Sequence, residues 1–413
     1  MQLRFLSQLV VASLVVLLTA CGGANAPVPE QAPTTKPAPA ATEAAPPAAE
    51  LAAVARAMTM AAMIKPGDRV FISGSVRDKE LLESLAVETM KAGGQPLIAI
   101  TSDQLTRRSY DEVPASYDSQ PPTLGLAMVN AFEVELSVEA GESESVLAGV
   151  PASRIAARAK AYLPVDEAFL KKGVRLVSLG NGLYPTAALA ERLGKPKTEV
   201  TSIFWKAAMI PPDAIRAKGE AIRSVLAAAK QITLSSANGT NLTFGVVAAK
   251  GFVSDGAISA EKVKQGRAAA QTWLPAGELL VPVAPGTAEG KVVVDKLVFQ
   301  GTTVEALTLV FSKGKLASMT ARAGLDALKA LYDASSGGKD QFGFIDLGLN
   351  PEAKLPTNTG RIVWMAPGSV TVGLGDNRGW GGTNVSEFSL ACPVSNATLS
   401  ANGQLLIESG TLK

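Results

Sequence analysis

The chain of 413 residues predicts an α/β fold: an N-terminal α/β domain built on a parallel sheet, then a strand-rich, mixed α+β C-terminal domain. Three observations lead there. Apolar runs at 69–73 and 96–100 bracket a helical segment, and strand, helix and strand within about 30 residues make a βαβ unit. A further strand-type run at 174–179 follows two helical stretches. Beyond residue 231, short strands separated by turns such as Asn238-Gly239 and Lys313-Gly314-Lys315 dominate. The folded part is therefore expected to divide into 51–200 and 201–413.

In chain order, 51–62 carries a helical Ala/Met pattern, and Ile64-Lys65-Pro66-Gly67-Asp68 marks a turn before the first strand. Met58, Met60 and Met63 read as part of a packing helix. Leu81, Leu82, Leu85, Val87 and Met90 lie near helical spacing, and Gly93-Gly94 stops that helix. Residues 96–100 follow as a second buried strand. Next come a helix at 155–162, a short helix at 166–172 and the strand at 174–179. Gly180-Asn181-Gly182 follows that strand but lacks the spacing of a phosphate-binding loop, so it reads as a tight turn. A long helix at 213–230 precedes strands at 231–235, 242–248, 279–283, 291–299, 303–311 and 315–321.

The first twenty residues form an export signal, with Arg4 as the early charge and a nearly unbroken apolar run from 9 to 18. That run is short of the ~20 residues that span a bilayer. Leu18-Thr19-Ala20-Cys21 resembles the bacterial lipobox, which implies cleavage before Cys21 and attachment of lipid to it. Gly22, in place of aspartate, implies the outer membrane, facing the periplasm, in a Gram-negative cell. Residues 21–50 are rich in Pro, Ala, Thr and Glu and cannot bury enough surface to fold, so they read as a lipidated tether. The expected address is the cell envelope, with the membrane as a partner through the lipid.

Lys and Arg number 39 against 37 Asp and Glu, and this near balance with no basic stripe gives no footprint for nucleic acid. The chain has no histidine, which excludes Ser-His-Asp and Cys-His devices. With Cys21 lipidated, Cys392 has no disulfide partner in the chain and reads as a buried small hydrophobe.

Seven further blocks stand in order: Gly182-Leu183-Tyr184-Pro185-Thr186, Gly239-Thr240-Asn241-Leu242, Leu274-Pro275-Ala276-Gly277-Glu278, Gly348-Leu349-Asn350-Pro351, Gly368-Ser369-Val370-Thr371, Gly373-Leu374-Gly375-Asp376-Asn377 and Gly381-Gly382-Thr383-Asn384-Val385-Ser386. With Lys65-Pro66-Gly67-Asp68 they resemble the aminopeptidase T family of thermophilic metallo-aminopeptidases over roughly 64–412. The resemblance implies an aminopeptidase T-like fold and two metal ions held by two glutamates, two histidines and an aspartate around a bridging water. Carried onto this sequence, those positions are Glu278, Phe344, Thr371, Ser389 and Ala391, so one of the five implied ligands is retained.

The implied protein is a lipid-anchored member of the family with a degenerate metal site, serving as a non-catalytic binding or scaffold module for a peptide or envelope ligand, with no cofactor. The resemblance also implies a homodimer. The alternative is an active aminopeptidase-like hydrolase that holds a divalent metal through oxygen ligands, Glu278 with Asp346 as substitute and Asp376 and Glu387 flanking. Asp346 shares a strand face with Phe344 if that segment is extended.

Overall fold

A computed structural model describes residues 48–413. The expected export signal, Cys21 and most of the expected tether lie outside the described residues. Helix α1 (Ala48–Ala61) opens the described chain, so its first turn takes in residues assigned above to the tether. It buries Leu51, Val54, Ala55 and Met58, while Met60 is 72% exposed. Of the three methionines, only Met58 is fully packed.

The first sheet is parallel throughout, in the order β2-β1-β3-β4-β8. Its strands are β1 (Arg69–Ser75), β2 (Gln95–Thr101), β3 (Val134–Val138), β4 (Arg175–Leu179) and β8 (Gln271–Leu274). Helix α2 (Lys79–Lys91) crosses from β1 to β2 and buries Leu81, Leu82 and Leu85 against one sheet face. The opposite face carries Phe71, which stacks on Phe132 at 5.2 Å and packs with Val165 and Phe169. Helices on both faces explain why β3 and β4 are buried along their whole length. Strand β2, expected to be buried, is instead the edge of the sheet, with Leu97 47% and Ile100 51% exposed.

Two short helices, α3 (Asp103–Asp111) and α4 (Thr123–Ala131), and the long α5 (Ala152–Lys172) wrap around this sheet. Ser102 caps α3 by accepting from the Leu105 N–H at 3.1 Å. Helix α5 corrects the two separate helices expected at 155–162 and 166–172: it runs unbroken through Pro164. Burial of Ile155, Ala159, Val165, Phe169 and Leu170 on both sides of the proline holds it together.

Helices α6 (Ala187–Leu193), α7 (Lys197–Ala208) and α8 (Pro212–Ala228) lead into two antiparallel sheets. The larger is formed by β5 (Ile232–Ser235), β6 (Asn241–Phe244), long β10 (Glu289–Phe299) and β11 (Thr302–Ser312), β12 (Lys315–Thr320), β16 (Thr398–Ala401), β17 (Gln404–Glu408) and β18 (Thr411–Leu412), in the order β12-β11-β10-β6-β5-β16-β17-β18. The smaller runs β15-β14-β13-β9-β7, formed by β15 (Ser389–Val394), β14 (Val370–Gly375), β13 (Phe342–Gly348), β9 (Glu278–Pro282) and β7 (Phe252–Ser254). Phe342 joins the two sheets, its ring 5.4 Å from Phe244 and 4.8 Å from Phe311. The division expected near residue 200 does not separate the sheets cleanly, because β8 returns to pair with β4. Four residues between a turn and a glycine loop are too few to show strand periodicity in the sequence.

Candidate functional site

Five of the seven sequence blocks meet at the ends of the smaller antiparallel sheet, while 182–186 follows β4 and 239–242 forms the turn between β5 and β6. Gly277, at φ +118°, lies where a side chain would strike Asn350, and the Leu349 N–H donates to the Gly277 carbonyl at 2.8 Å. Asn350 is buried and donates through Nδ2 to the carbonyls of Ala207 and Ala276. Asn377 Oδ1 accepts from the Asn384 N–H at 2.8 Å, and Asn384 Nδ2 donates to the Gly375 carbonyl. The blocks thus tie three strand ends together.

Ladder register places all five implied ligand positions on one sheet face. Phe344 pairs with Gly373, which pairs with Ala391; Asp346 pairs with Thr371; Ser389 pairs with Gly375; Glu278 pairs with Gly348. Alternation along each strand then points Glu278, Phe344, Asp346, Thr371, Ser389 and Ala391 the same way. A bulge at Gly343 makes this possible for Phe344, since it sends Phe342 to the other face, into the aromatic core.

The middle of that face is filled by rings. The Trp380 indole stacks on Phe344 with centroids 3.6 Å apart and planes 5° from parallel, and Trp364 lies 6.2 Å from Trp380. A Cβ on Gly373 would stand 1.9 Å from the Phe344 ring, so the ring occupies the space above β14. Trp380 Nε1 also donates to Asp346 Oδ2 at 3.1 Å. Sequence reasoning missed Trp380. Its placement rests on contacts 34 residues away, and its only local signal is the glycine pair around it.

The remaining acids are held apart. Asp376 accepts from Arg378 Nε at 2.7 Å and from the Ser386 N–H, and burial pushes its carboxyl up from the ordinary range. Glu387 accepts from Ser336 Oγ at 2.7 Å. Glu278 is fully buried at the start of β9. Among the described residues, no three or more His, Cys, Asp or Glu side chains gather as a metal site would need. A phenylalanine ring, a threonine, a serine and an alanine beside one glutamate do not fit a pair of hydrolytic metal ions.

Ser389 and Ala391 reach the wall of a cleft of about 330 Å³ between the parallel sheet and the antiparallel sheets, with Trp364, Trp273 and Tyr184 also lining it. Thr371 opens instead into a second cavity of about 260 Å³ beside Pro393 and Ala366. Phe344 and Glu278 line neither. The turn Gly180-Asn181-Gly182 forms as expected, with Asn181 at φ +50°, and places Asn181 and Gly182 in the cleft wall. Cys392 is buried on β15, and burial pushes its thiol up to about 12.

A parallel α/β sheet is thus joined to antiparallel sheets, with glycine-rich blocks around the smaller of them. The profile of the thermophilic metalloproteases, M29, matches residues 48–350, and the chain belongs to that family. Wild-type AmpT from Thermus thermophilus shares the fold with a TM-score of 0.65 at 19% identity, over 88% of this chain and 99% of that one. The 2,5-dihydroxypyridine dioxygenase of Pseudomonas putida KT2440 shares it at a TM-score of 0.54 and 14% identity, over 89% and 97%. No curated protein matches the chain. A peptidase-family fold that also supports a dioxygenase leaves activity to be argued from the site.

Proposed function

We propose that this chain is a membrane-anchored binding module of the M29 family in which metallopeptidase chemistry has been lost. The observation that carries the reading is the Phe344–Trp380 stack, which fills the face where the family resemblance implies metal ligands. Replacing charged ligands by Phe, Thr, Ser and Ala leaves no unpaired buried charge at those positions, and at Phe344 the site is repacked as core. The cleft beside it is retained, and a peptide or another envelope ligand is the proposed occupant.

Lipid on Cys21 and a Pro-rich tether would hold the folded part at the membrane. Among the described residues, no helix is long and apolar enough to cross a membrane. The reading includes the implied homodimer, and light scattering that returns a monomer at micromolar concentration removes that element. Metal analysis of the purified protein with an aminoacyl-arylamide assay tests the whole. Absence of turnover after zinc or cobalt loading supports the reading, and metal-dependent amide hydrolysis overturns it.

A further inference from the structure

The end of the parallel sheet opposite the cleft is a surface with a chemistry of its own. The amino ends of β1 to β4 meet there: Arg69 pairs with Gln95, the Glu133 N–H donates to the Arg69 carbonyl at 3.0 Å, and the Arg175 N–H donates to the Glu133 carbonyl at 3.1 Å. The connections 62–68 and 92–94 are tied together by the Gly67 N–H, which donates to the Gly93 carbonyl at 3.0 Å. Helix α9 (Ala260–Gln265) lies beside them, since the Ile258 N–H just before it donates to the Ala61 carbonyl at 2.9 Å. The cleft lies toward the other ends of the same strands, with Ser73, Val138 and Ser178 in its wall.

This end presents methionines to solvent. Met90 is 56% exposed in the last turn of α2, and Met60 and Met63, at the close of α1, are exposed as well. Glu88 joins the two helices there, 3.6 Å from Arg56 and 2.7 Å from Lys91. Val263 of α9 adds a further exposed apolar side chain. Exposed apolar groups gathered inside a polar rim mark a surface that meets a partner.

The charge around them is of one sign. Arg56 and Lys91 share Glu88, Arg69 and Lys172 share Glu133, and Lys65 and Lys171 are exposed beside them. Asp68 is buried against Arg175 at 2.7 Å and the pair adds no net charge, while on α9 Lys264 offsets Glu261. Lys91, Lys171 and Lys172 close helices, where the backbone dipole favours cations. That accounts for their sign but not for the methionines beside them.

Apolar side chains set among cations complement an anionic lipid surface. A second copy of the chain meeting this end about a two-fold axis would bring cations against cations. The stretch before α1 is long enough to allow the contact. Helix α1 has 14 residues, which puts Ala48 about 20 Å from this end at about 1.5 Å per residue. Residues 21–47, in the extended form that prolines favour, exceed that span at about 3.1 Å per residue.

We infer that the amino end of the parallel sheet docks on an anionic phospholipid surface through Met60, Met63 and Met90, with Lys65, Lys91 and Lys171 at the headgroups and the cleft turned away from the membrane. The inference deepens the membrane-anchored reading and rests on it. Vesicle flotation of residues 21–413 carrying Cys21→Ser tests the face without the lipid, so its failure leaves the anchor standing; labelling of Cys21 with palmitate tests the anchor. Vesicles of equimolar phosphatidylglycerol and phosphatidylcholine should carry the chain at low salt, and vesicles of phosphatidylcholine alone should not. Lys65→Gln and Lys171→Gln should each weaken binding about fivefold, and Lys79→Gln, at the far end of α2, should leave it unchanged. Met60→Ser with Met90→Ser should weaken it at least as much as either lysine change, with an unchanged circular dichroism spectrum; should that variant misfold, the lysine variants decide. Equal flotation with both vesicles, no flotation at low salt, or the same loss in Lys79→Gln as in Lys171→Gln overturns the inference. A concentration-dependent dimer that Met60→Ser with Met90→Ser abolishes, in a chain that does not float, would give the face to a second copy instead.

Discussion

Phe344 and Trp380 lie face to face, 3.6 Å between ring centroids, with the same indole donating to Asp346. A residue that the family resemblance implies to be a glutamate is thus the floor of an aromatic stack. Asp346, the substitute ligand of the alternative reading, serves as the anchor of that stack.

The stack should be worth a large share of the stability. Phe344→Ala removes a fully buried ring from beneath Trp380, and a loss of about 3–5 kcal/mol is expected from denaturant unfolding. Gly373→Ala should also destabilise, because its Cβ would meet the Phe344 ring at 1.9 Å. Combined with Phe344→Leu, that second change should cost less than it does alone. Additive losses would show that the ring does not occupy the space above β14.

Asp346 should behave as a hydrogen-bond acceptor for Trp380. Asp346→Asn keeps an oxygen for Nε1 and should cost less than Asp346→Leu, which strands a buried N–H at about 1–3 kcal/mol. Thermal unfolding of the two variants checks the order, and equal losses would remove the anchoring role.

Glu135 introduces a pH dependence. It sits on β3 between Phe71 and Leu176 in the ladder, and burial pushes its carboxyl from 4.5 up to about 8. The folded state then holds a proton that the unfolded state releases, so this group's contribution is full below pH 4.5 and lost as pH rises toward 8. The slope approaches about 1.4 kcal/mol per pH unit for one group. Glu135→Gln should flatten that decline in urea melts taken across the window. An unchanged profile would mean the carboxyl is ionised when folded.

Cys392 should be inert in the native protein. Its thiol is buried and held protonated, so in a Cys21→Ser background a disulfide reagent at mildly alkaline pH should modify it only after denaturant is added. Rapid native reaction would place it nearer the surface.

Much of the fold was legible where elements are long or periodic. The βαβ unit from β1 to β2, α8, and the strands β10 and β11 carry their own pattern and their own stops. Strand β2 was misplaced because an apolar run looks the same at an edge as at a centre. Helix α5 was broken in two because Pro164 disfavours a helix locally, and the packing that overrides it is tertiary. Strands β13 and β14 carry two glycines each and β15 is only six residues long, so periodicity gave no strand there and only the family blocks marked positions on them. Those blocks marked Phe344, Thr371, Ser389 and Ala391, whose common face only the ladder register reveals. Trp380 stayed hidden because it acquires its role from residues distant in sequence.

Titration of the purified chain with cobalt(II), followed by the visible absorption of the bound ion and by aminoacyl-arylamide hydrolysis in the same samples, bears most directly on the filled face. The expected result is no saturable band and no turnover, since one glutamate, an aromatic stack and three small neutral side chains offer no paired metal site. Two equivalents of cobalt bound per chain, with a saturable band and amide cleavage that tracks it, would contradict the proposal.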